Sequence, residues 1–245
     1  MESTKHFNQI ADSYERIRPV FTPLMDKLAE VLELNKGDIV VDYGCGPGHD
    51  IEYLKKEYKI NPIGIDASNE MCVISSKKIG NDNVINGDNQ YYLQNLSFDK
   101  IYFKVVMHHI KQPIQFIDDV ISYLKPGSSI AIITMVPENL SSYIVLRYFP
   151  ALRNILEKAA QKQNEIIEHI LQNPLIQSKV FKHSVNEEIF DESLIDKIQH
   201  NYSSFISSLS EKEKNAGLEK LNEEINNNKT RVHLTKGVIY YGKRR

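Results

Sequence analysis

The residues best suited to chemistry form a glycine-rich stretch after a carboxylate, together with two acids further along the chain. Asp42 opens the spacing Asp-x-Gly-x-Gly-x-Gly, and Asp66 and Asp88 each follow an apolar segment. The three glycines are Gly44, Gly46 and Gly48. Glycines let a ligand approach the backbone without a Cβ in the way, and carboxylates accept strong hydrogen bonds from hydroxyl and amino groups. These residues predict a site for a nucleotide-like ligand.

The elements that must position these residues alternate between apolar strands and amphipathic helices. A β-branched run ending at Val41 precedes the glycine loop, and a helical pattern that includes Leu54 follows it. Further strands are predicted at 60–65, 84–86, 100–106 and 129–135, with helices at 70–79 and 114–124. This alternation predicts an α/β fold with a parallel sheet and right-handed crossovers. Ligands of such folds bind at the carboxyl ends of the strands.

Two kinds of nucleotide site compete at the glycine loop. A dinucleotide fingerprint needs Gly-x-Gly-x-x-Gly, but His49 occupies the sixth position, which makes a nicotinamide oxidoreductase a distant alternative. The observed spacing instead resembles motif I of the class I S-adenosylmethionine-dependent methyltransferases, and the resemblance continues in order to about Thr134. Further matches are Asp66, Gly87-Asp88-Asn89, the segment Phe98–Ile110 and Leu124-Lys125-Pro126-Gly127. The chain is similar to small-molecule methyltransferases of the ubiquinone and menaquinone type.

This resemblance implies a Rossmann-like sheet of seven mostly parallel strands, with helices on both faces and a helical cap. It also implies S-adenosyl-L-methionine as the cofactor and S-adenosyl-L-homocysteine as the product. Asp66 would accept from the ribose hydroxyls and Asp88 from the adenine amino group, while Asp42 would order the loop or meet the ammonium group. The implied cofactor-binding residues are Tyr14, Asp42, Gly44, Cys45, Gly46, Gly48, Asp66, Ala67, Met71, Asp88, Asn89, Lys104 and His109.

Several of these assignments have alternatives. Met71 is equally compatible with core packing, and Tyr14 lies on a predicted helix that either reaches the cofactor or simply covers the sheet. Lys104 stands where relatives carry Ser, Thr or Asn, and a backbone contact is favoured because a sulfonium would repel its ammonium group. His108 and His109 are candidate general bases. The same pair occurs in relatives with very different acceptors, which favours a positioning role.

The chain changes character after Pro137. Tyr143, Tyr148 and Phe149 belong to an apolar, aromatic cluster, and we predict that they line the acceptor pocket together with Arg18. Helices are predicted near 151–171, 187–200 and 211–228, a strand at 180–185, and a last strand at 237–242, antiparallel beside strand five. The predicted organisation is an N-terminal helical cap segment at 1–36, a cofactor-binding core at 37–137, a helical acceptor lid at 138–230 and a C-terminal strand at 231–245.

Composition argues against several classes of function. The 245 residues carry a formal charge of -2, so no overall basic field favours a nucleic-acid partner. No apolar run suits a membrane span, and the start of the chain lacks an apolar signal segment. Cys45 and Cys72 have no Cys-x-x-Cys partner, and no ligand spacing predicts a metal site.

We therefore expect a cytoplasmic enzyme, monomeric or homodimeric, that methylates an N, O, S or C atom of a small-molecule acceptor. The alternative is a cofactor-binding protein of the same fold that regulates or scaffolds a partner without turnover.

Overall fold

The fold is built on one sheet, seen in a computed structural model that describes residues 2–88, 91–227 and 232–245. Across these residues the strands are β1 (Ile39–Tyr43), β2 (Asn61–Asp66), β3 (Val84–Asn86), β4 (Lys100–Lys104), β5 (Ser129–Thr134), β6 (Ile176–Ile189) and β7 (Val232–Arg244). Their order is β3-β2-β1-β4-β5-β7-β6. The first five strands pair in parallel, and β7 is antiparallel to both β5 and β6. The predicted seven-stranded, mostly parallel fold is confirmed.

Helices flank this sheet. The described residues form α1 (Glu2–Ile17), α2 (Thr22–Leu32), α3 (His49–Tyr58), α4 (Asn69–Ile79), α5 (Tyr91–Gln94), α6 (Pro113–Tyr123), α7 (Val145–Tyr148), α8 (Arg153–Leu171), α9 (Glu192–Gln199) and α10 (Glu211–Asn227). Within the described ranges, none of these helices combines the length and apolar character needed to cross a bilayer.

The strands are apolar on both faces because helices cover both faces. Alternate residues of a strand point to opposite sides, so Ile101 and Phe103 of β4 enter one core while Tyr102 enters the other. In β1 the neighbours Val40 and Val41 divide in the same way. This explains why the central strands are continuous apolar runs rather than alternating ones.

The cap is the group formed by α7, α9, α10 and the start of α8, and it has a hydrophobic core of its own. Tyr148 and Phe149 lie in that core, with exposed fractions of 5% and 1%. The Tyr148 hydroxyl donates to Glu224 Oε2 on α10 at 2.6 Å. Ile17 at the end of α1 also packs into this cluster, so the cap and the N-terminal helix are joined by apolar contacts.

The main departure from the predicted elements is β6. The strand expected at 180–185 extends over Ile176–Ile189 and replaces the beginning of the helix expected at 187–200, which is limited to α9. The segment 138–230 is therefore not purely helical. The last strand lies beside β5 as predicted, but it is internal, and β6 forms the edge of the sheet. An edge strand tolerates polar residues on its solvated side. The sequence of β6 therefore lacks the continuous apolar run that identifies the central strands.

Gly217 offers a test of the cap core. It lies on α10, and a Cβ at this position would come within 2.1 Å of Phe149 Cε1. In an open helix, Gly→Ala gains about 1 kcal/mol, but overpacking costs about 1–3 kcal/mol. We expect Gly217→Ala to lower the melting temperature, by about 2–4 °C for each kcal/mol lost. The exposed Asn215→Ala on the same helix is the control. A rise in melting temperature for Gly217→Ala would show that the Phe149 ring is not tightly held.

Candidate active site

A cavity of about 760 Å³ opens at the carboxyl ends of the parallel strands. The glycine loop after β1, Asp66 at the end of β2, Asp88 after β3 and Lys104 at the end of β4 all line it. Residues of α1 and of the segments after β5 line the remaining side. We call these two parts the cofactor half and the acceptor half. The parallel topology explains why residues distant in sequence meet at this edge.

The glycine loop has the backbone geometry that its composition suggests. Gly44, Gly46 and Gly48 all have positive φ angles, of 84°, 52° and 81°. A Cβ on Gly44 would lie 2.6 Å from Val106 Cγ2, and one on Gly48 would lie 2.5 Å from Ser75 Oγ. These two glycines therefore allow close packing of the loop, and Gly48 is not part of the cavity wall. That corrects the prediction that Gly48 contacts the cofactor.

Gly46 differs from Gly44 and Gly48 because a Cβ built there would clash with no other atom. The nearest atom to a Cβ built there is Tyr14 Cε1, at 4.0 Å. Both Gly46 and Tyr14 line the cavity, as does Cys45. The structure thus leaves room for a ligand to lie against the Gly46 backbone, beneath the Tyr14 ring.

Asp66 links the loop to the cavity. Its Oδ2 accepts from the Gly46 backbone N–H at 2.8 Å, and its Oδ1 accepts from the Ser68 backbone N–H at 2.8 Å. Burial raises the pKa of this carboxyl, and the hydrogen bonds from Ser68, Gly46 and Ala67 oppose that shift. Each oxygen keeps a further lone pair, so Asp66 can accept from a ligand while it orders the loop.

Asp42 is the most unusual titratable group of the cofactor half. Only 2% of it is exposed, and its Oδ1 has no hydrogen-bond partner among the described residues. Burial raises the pKa of this carboxyl to about 8, the nearby negative charge of Asp50 adds to the shift, and the Tyr102 hydroxyl and the Lys104 ammonium group oppose it. An unpartnered buried oxygen next to a cavity fits a cationic group of a ligand.

Ala67, Met71 and Asp88 also line the cofactor half of the cavity, and their contact with the cofactor stays a prediction. Met71 is also 1% exposed and packs with Ala11 of α1, so its core packing is observed. Asn89 lies outside the described residues.

Lys104 lines the cavity, but its ammonium group is already paired. Its Nζ lies 2.6 Å from Asp50 Oδ2, and both side chains are largely buried. The ion pair fits the expectation that the charged end of Lys104 does not meet the cofactor. Sequence patterns could not identify Asp50 as the partner, because the two residues lie on different elements.

His108 and His109 are neutral wall residues. Burial lowers the pKa of His108 to about 3 and that of His109 to about 4. The His108 ring stacks on Phe205 at 5.2 Å, and the His109 ring meets Phe7 edge-on at 5.6 Å. Groups with such low pKa values are weak bases at neutral pH. The geometry therefore favours positioning over proton abstraction.

The acceptor half contains two of the four predicted pocket residues. Arg18 and Tyr143 line the cavity, whereas Tyr148 and Phe149 do not. The prediction for Tyr148 and Phe149 is wrong, because both side chains turn into the cap core. No sequence pattern separates Tyr143 from Tyr148 and Phe149, since all three aromatic residues belong to the same apolar cluster.

Two wall residues of the acceptor half were not found from the sequence. Tyr202 and Phe205 follow α9 and line the cavity. Their spacing matches no motif, and only the position of the cap brings them to the site. The stacking of Phe205 on His108 is the contact that joins the cap to the core at this point.

Known proteins resemble the chain in sequence. It is 24% identical over 138 residues to a malonyl-[acyl-carrier protein] O-methyltransferase of Marinomonas sp. (strain MWYL1), covering 54% of this chain and 50% of that relative. It is 24% identical over 190 residues to a trans-aconitate 2-methyltransferase of Rhodopseudomonas palustris (strain BisB18), covering 74% and 72%. The chain thus matches about half the length of the first relative and more of the second.

Solved structures agree with the fold. The plantazolicin methyltransferase BpumL, solved in complex with a pentazolic desmethylPZN analogue and SAH, superposes with a TM-score of 0.57. The superposition covers 97% of this chain and 90% of that one, at 17% identity. Similarity at this level of identity supports the fold alone.

A family model described as a methyltransferase domain matches residues 14–174. The match includes the glycine loop, Asp66, Asp88 and all of β4 and β5, and it confirms the resemblance that the motifs indicate. Because it covers more than half of the 245 residues, the chain belongs to the methyltransferase domain family.

Proposed function

We propose that the protein transfers the methyl group of S-adenosyl-L-methionine to a small-molecule acceptor. The observation that carries this proposal is Asp66, which lines the cavity and holds the Gly46 backbone N–H at 2.8 Å. A carboxylate in this position can accept from a diol next to an open stretch of backbone. The unpartnered oxygen of Asp42 supplies an acceptor for an ammonium group in the same half of the cavity.

Three polar groups of the cofactor each have a candidate carboxylate partner in this chain. Asp66 would hold the ribose, Asp88 the adenine amino group, and Asp42 the ammonium group. When bound, the cofactor supplies a methyl group on a positively charged sulfur. Gly46 leaves space for the methionine portion, and Tyr14 covers it from α1.

The chain's own contribution to the reaction is orientation and the exclusion of water. The neutral rings of His108 and His109 and the Phe205 ring form a largely apolar wall on the acceptor side. Since both imidazoles are weak bases, the proposal assigns no proton abstraction to them. An acceptor whose nucleophilic atom is already unprotonated, or loses its proton to water, needs no base from these two histidines.

We also propose that the enzyme works in the cytoplasm on a metabolite or natural-product intermediate, as a monomer or homodimer. The two cysteines are free and buried, as expected in a reducing compartment. Family membership and the relatives' names support a small-molecule acceptor in general terms.

The test is calorimetric titration with S-adenosylmethionine, S-adenosylhomocysteine and NAD. We expect micromolar binding of the first two, about -8 kcal/mol, and none of NAD. Incubation with a small-metabolite extract and methyl-labelled cofactor should then place label in the small-molecule fraction. NAD binding without a response to either sulfur cofactor would refute the proposal. Cofactor binding with no label transfer from any extract would favour a regulatory or scaffolding protein.

A further inference from the structure

Arg18 places a guanidinium in the acceptor half without an anionic partner. Its Cζ lies 5.8 Å from the ring centre of Tyr14 and 5.5 Å from that of Tyr202. Within the described ranges, Arg18 forms no salt bridge, and its side chain donates no hydrogen bond to a protein acceptor. A cation held among aromatic rings and open to a cavity keeps its N–H donors available for a ligand.

Glu188, whose negative charge acts on the Arg18 guanidinium, is already paired with other groups. Glu188 is 2% exposed, its Oε2 accepts from Lys197 Nζ at 3.1 Å, and its Oε1 accepts from Asn186 Nδ2 at 2.7 Å. Glu187 also lines the cavity, but it does not pair with Arg18 in the part of the chain that the structure describes. Arg18 therefore brings one unmatched positive charge to the acceptor half.

We propose that Arg18 binds a carboxylate of the methyl acceptor, so that the acceptor is a small organic acid. This inference rests on the proposed function and specifies its substrate class. A planar guanidinium forms two parallel hydrogen bonds with a carboxylate. One unmatched positive charge suits a carboxylate better than a phosphate dianion.

Tyr143 and Tyr202 add neutral donors around the same point. Burial raises the pKa of Tyr143 to about 12 and raises that of Tyr202 well above its usual range. Both phenols are therefore protonated at neutral pH and can donate to an anion beside Arg18. The two residues belong to the segments after β5, which form the acceptor half.

S-adenosylmethionine also carries a carboxylate. The test must therefore distinguish binding of Arg18 to the cofactor from binding of Arg18 to the acceptor. The protein is first saturated with S-adenosylhomocysteine, which fills the cofactor half. The complex is then titrated with benzoate and, separately, with benzamide, a neutral molecule of nearly the same shape. Both probes suit a pocket lined by aromatic rings, and only benzoate carries the charge.

We expect wild-type protein to bind benzoate at least tenfold more tightly than benzamide. Arg18→Met should abolish that preference, and Arg18→Lys should retain only part of it because the bidentate geometry is lost. The affinity for S-adenosylhomocysteine should stay within threefold in both variants. Arg16→Met is the matched control, since Arg16 lies two residues earlier in the last turn of α1, has 63% of its side chain exposed and pairs with Asp196 at 3.4 Å.

Each contrary result has a distinct meaning. If benzoate and benzamide bind equally, or neither binds, the acceptor half does not select a carboxylate. If Arg18→Met instead weakens S-adenosylhomocysteine tenfold, the guanidinium serves the cofactor and the inference is overturned. Failure of wild-type protein to bind S-adenosylhomocysteine would count against the proposed function itself. The wild-type comparison of the two probes stands even if a variant does not fold.

Discussion

Replacing Asp66 by alanine is expected to weaken S-adenosylhomocysteine binding at least thirtyfold, about 2 kcal/mol. Two effects combine in this loss. The ribose hydroxyls lose a charged acceptor, and the backbone N–H groups of Gly46 and Ser68 lose the carboxylate that holds them at 2.8 Å. The first effect lowers affinity directly, and the second leaves the loop less ordered before the ligand arrives.

Because of these loop contacts, Asp66→Ala is also expected to destabilise the protein without a ligand. Two unpaired backbone donors near the cavity should cost about 1 kcal/mol or more of unfolding free energy. Asp66→Asn replaces one acceptor oxygen by an amide NH2 group, which donates and cannot accept from the backbone N–H that it faces, so this variant should be impaired as well. Asp82→Ala is the control, because Asp82 is an exposed acid outside the cavity. Calorimetry and urea unfolding measure both quantities, and an unchanged dissociation constant for Asp66→Ala would place the ribose elsewhere.

The affinity for S-adenosylhomocysteine is expected to rise at least tenfold between pH 6 and pH 8. In the empty protein the pKa of Asp42 is about 8, so the carboxyl is mostly protonated at pH 6. A ligand ammonium group beside it favours the ionised form. Binding therefore releases a proton, and affinity increases with pH until the empty site is itself ionised. A pKa lowered by about two units in the complex corresponds to about a hundredfold in total, and more than about tenfold of this falls between pH 6 and pH 8.

Asp42→Asn provides the control for this pH dependence. The amide does not titrate, so the increase between pH 6 and 8 should disappear, and the remaining slope measures every other group. Calorimetry in buffers of different ionisation enthalpy should detect the released proton in the wild-type protein only. Equal slopes for the two proteins would show that the ammonium group does not meet Asp42.

Raising the pH should increase the affinity for the ligand through Asp42, but it should lower the stability of the protein without a ligand. Its pKa is 3.8 in the unfolded chain and about 8 in the folded one, so the folded state holds one more proton between these values. The stability from the neutral carboxyl is fully present below pH 3.8 and is lost as pH rises towards 8. Relative to Asp42→Asn, the melting temperature of the wild-type protein should therefore fall between pH 5 and pH 8.

The fold and the cofactor half were largely predictable because local signals determine them. A β-branched run ending at Val41, three alternate glycines and a helical pattern lie within twenty residues. Asp66 and Asp88 each follow a short apolar run that predicts a strand, and this places them at neighbouring strand ends. Ordered parallel strands then bring these residues to one edge, which needs no knowledge of side-chain packing.

The acceptor half was harder to predict because it depends on packing between distant segments. Tyr143 faces the cavity while Phe149 faces Gly217 in the cap core, and no local pattern distinguishes these two aromatic residues. Tyr202 reaches the cavity only because β6 and α9 turn the chain back towards α1. The ion pair of Lys104 with Asp50 likewise joins two elements whose proximity is a property of the folded sheet.

The helix α1 serves both halves of the cavity at once. Its Tyr14 lies over Gly46, and Arg18, which follows its last residue, reaches the acceptor half one turn later. The helix is fastened by His49 Nε2, which donates to the Glu15 carbonyl at 2.9 Å, and by Lys78, which lies 2.6 Å from the Glu15 carboxylate. Lifting this one helix uncovers both halves together. If S-adenosylmethionine and the acceptor bind in these two halves as proposed, a displacement of α1 that admits either molecule also exposes the other to solvent.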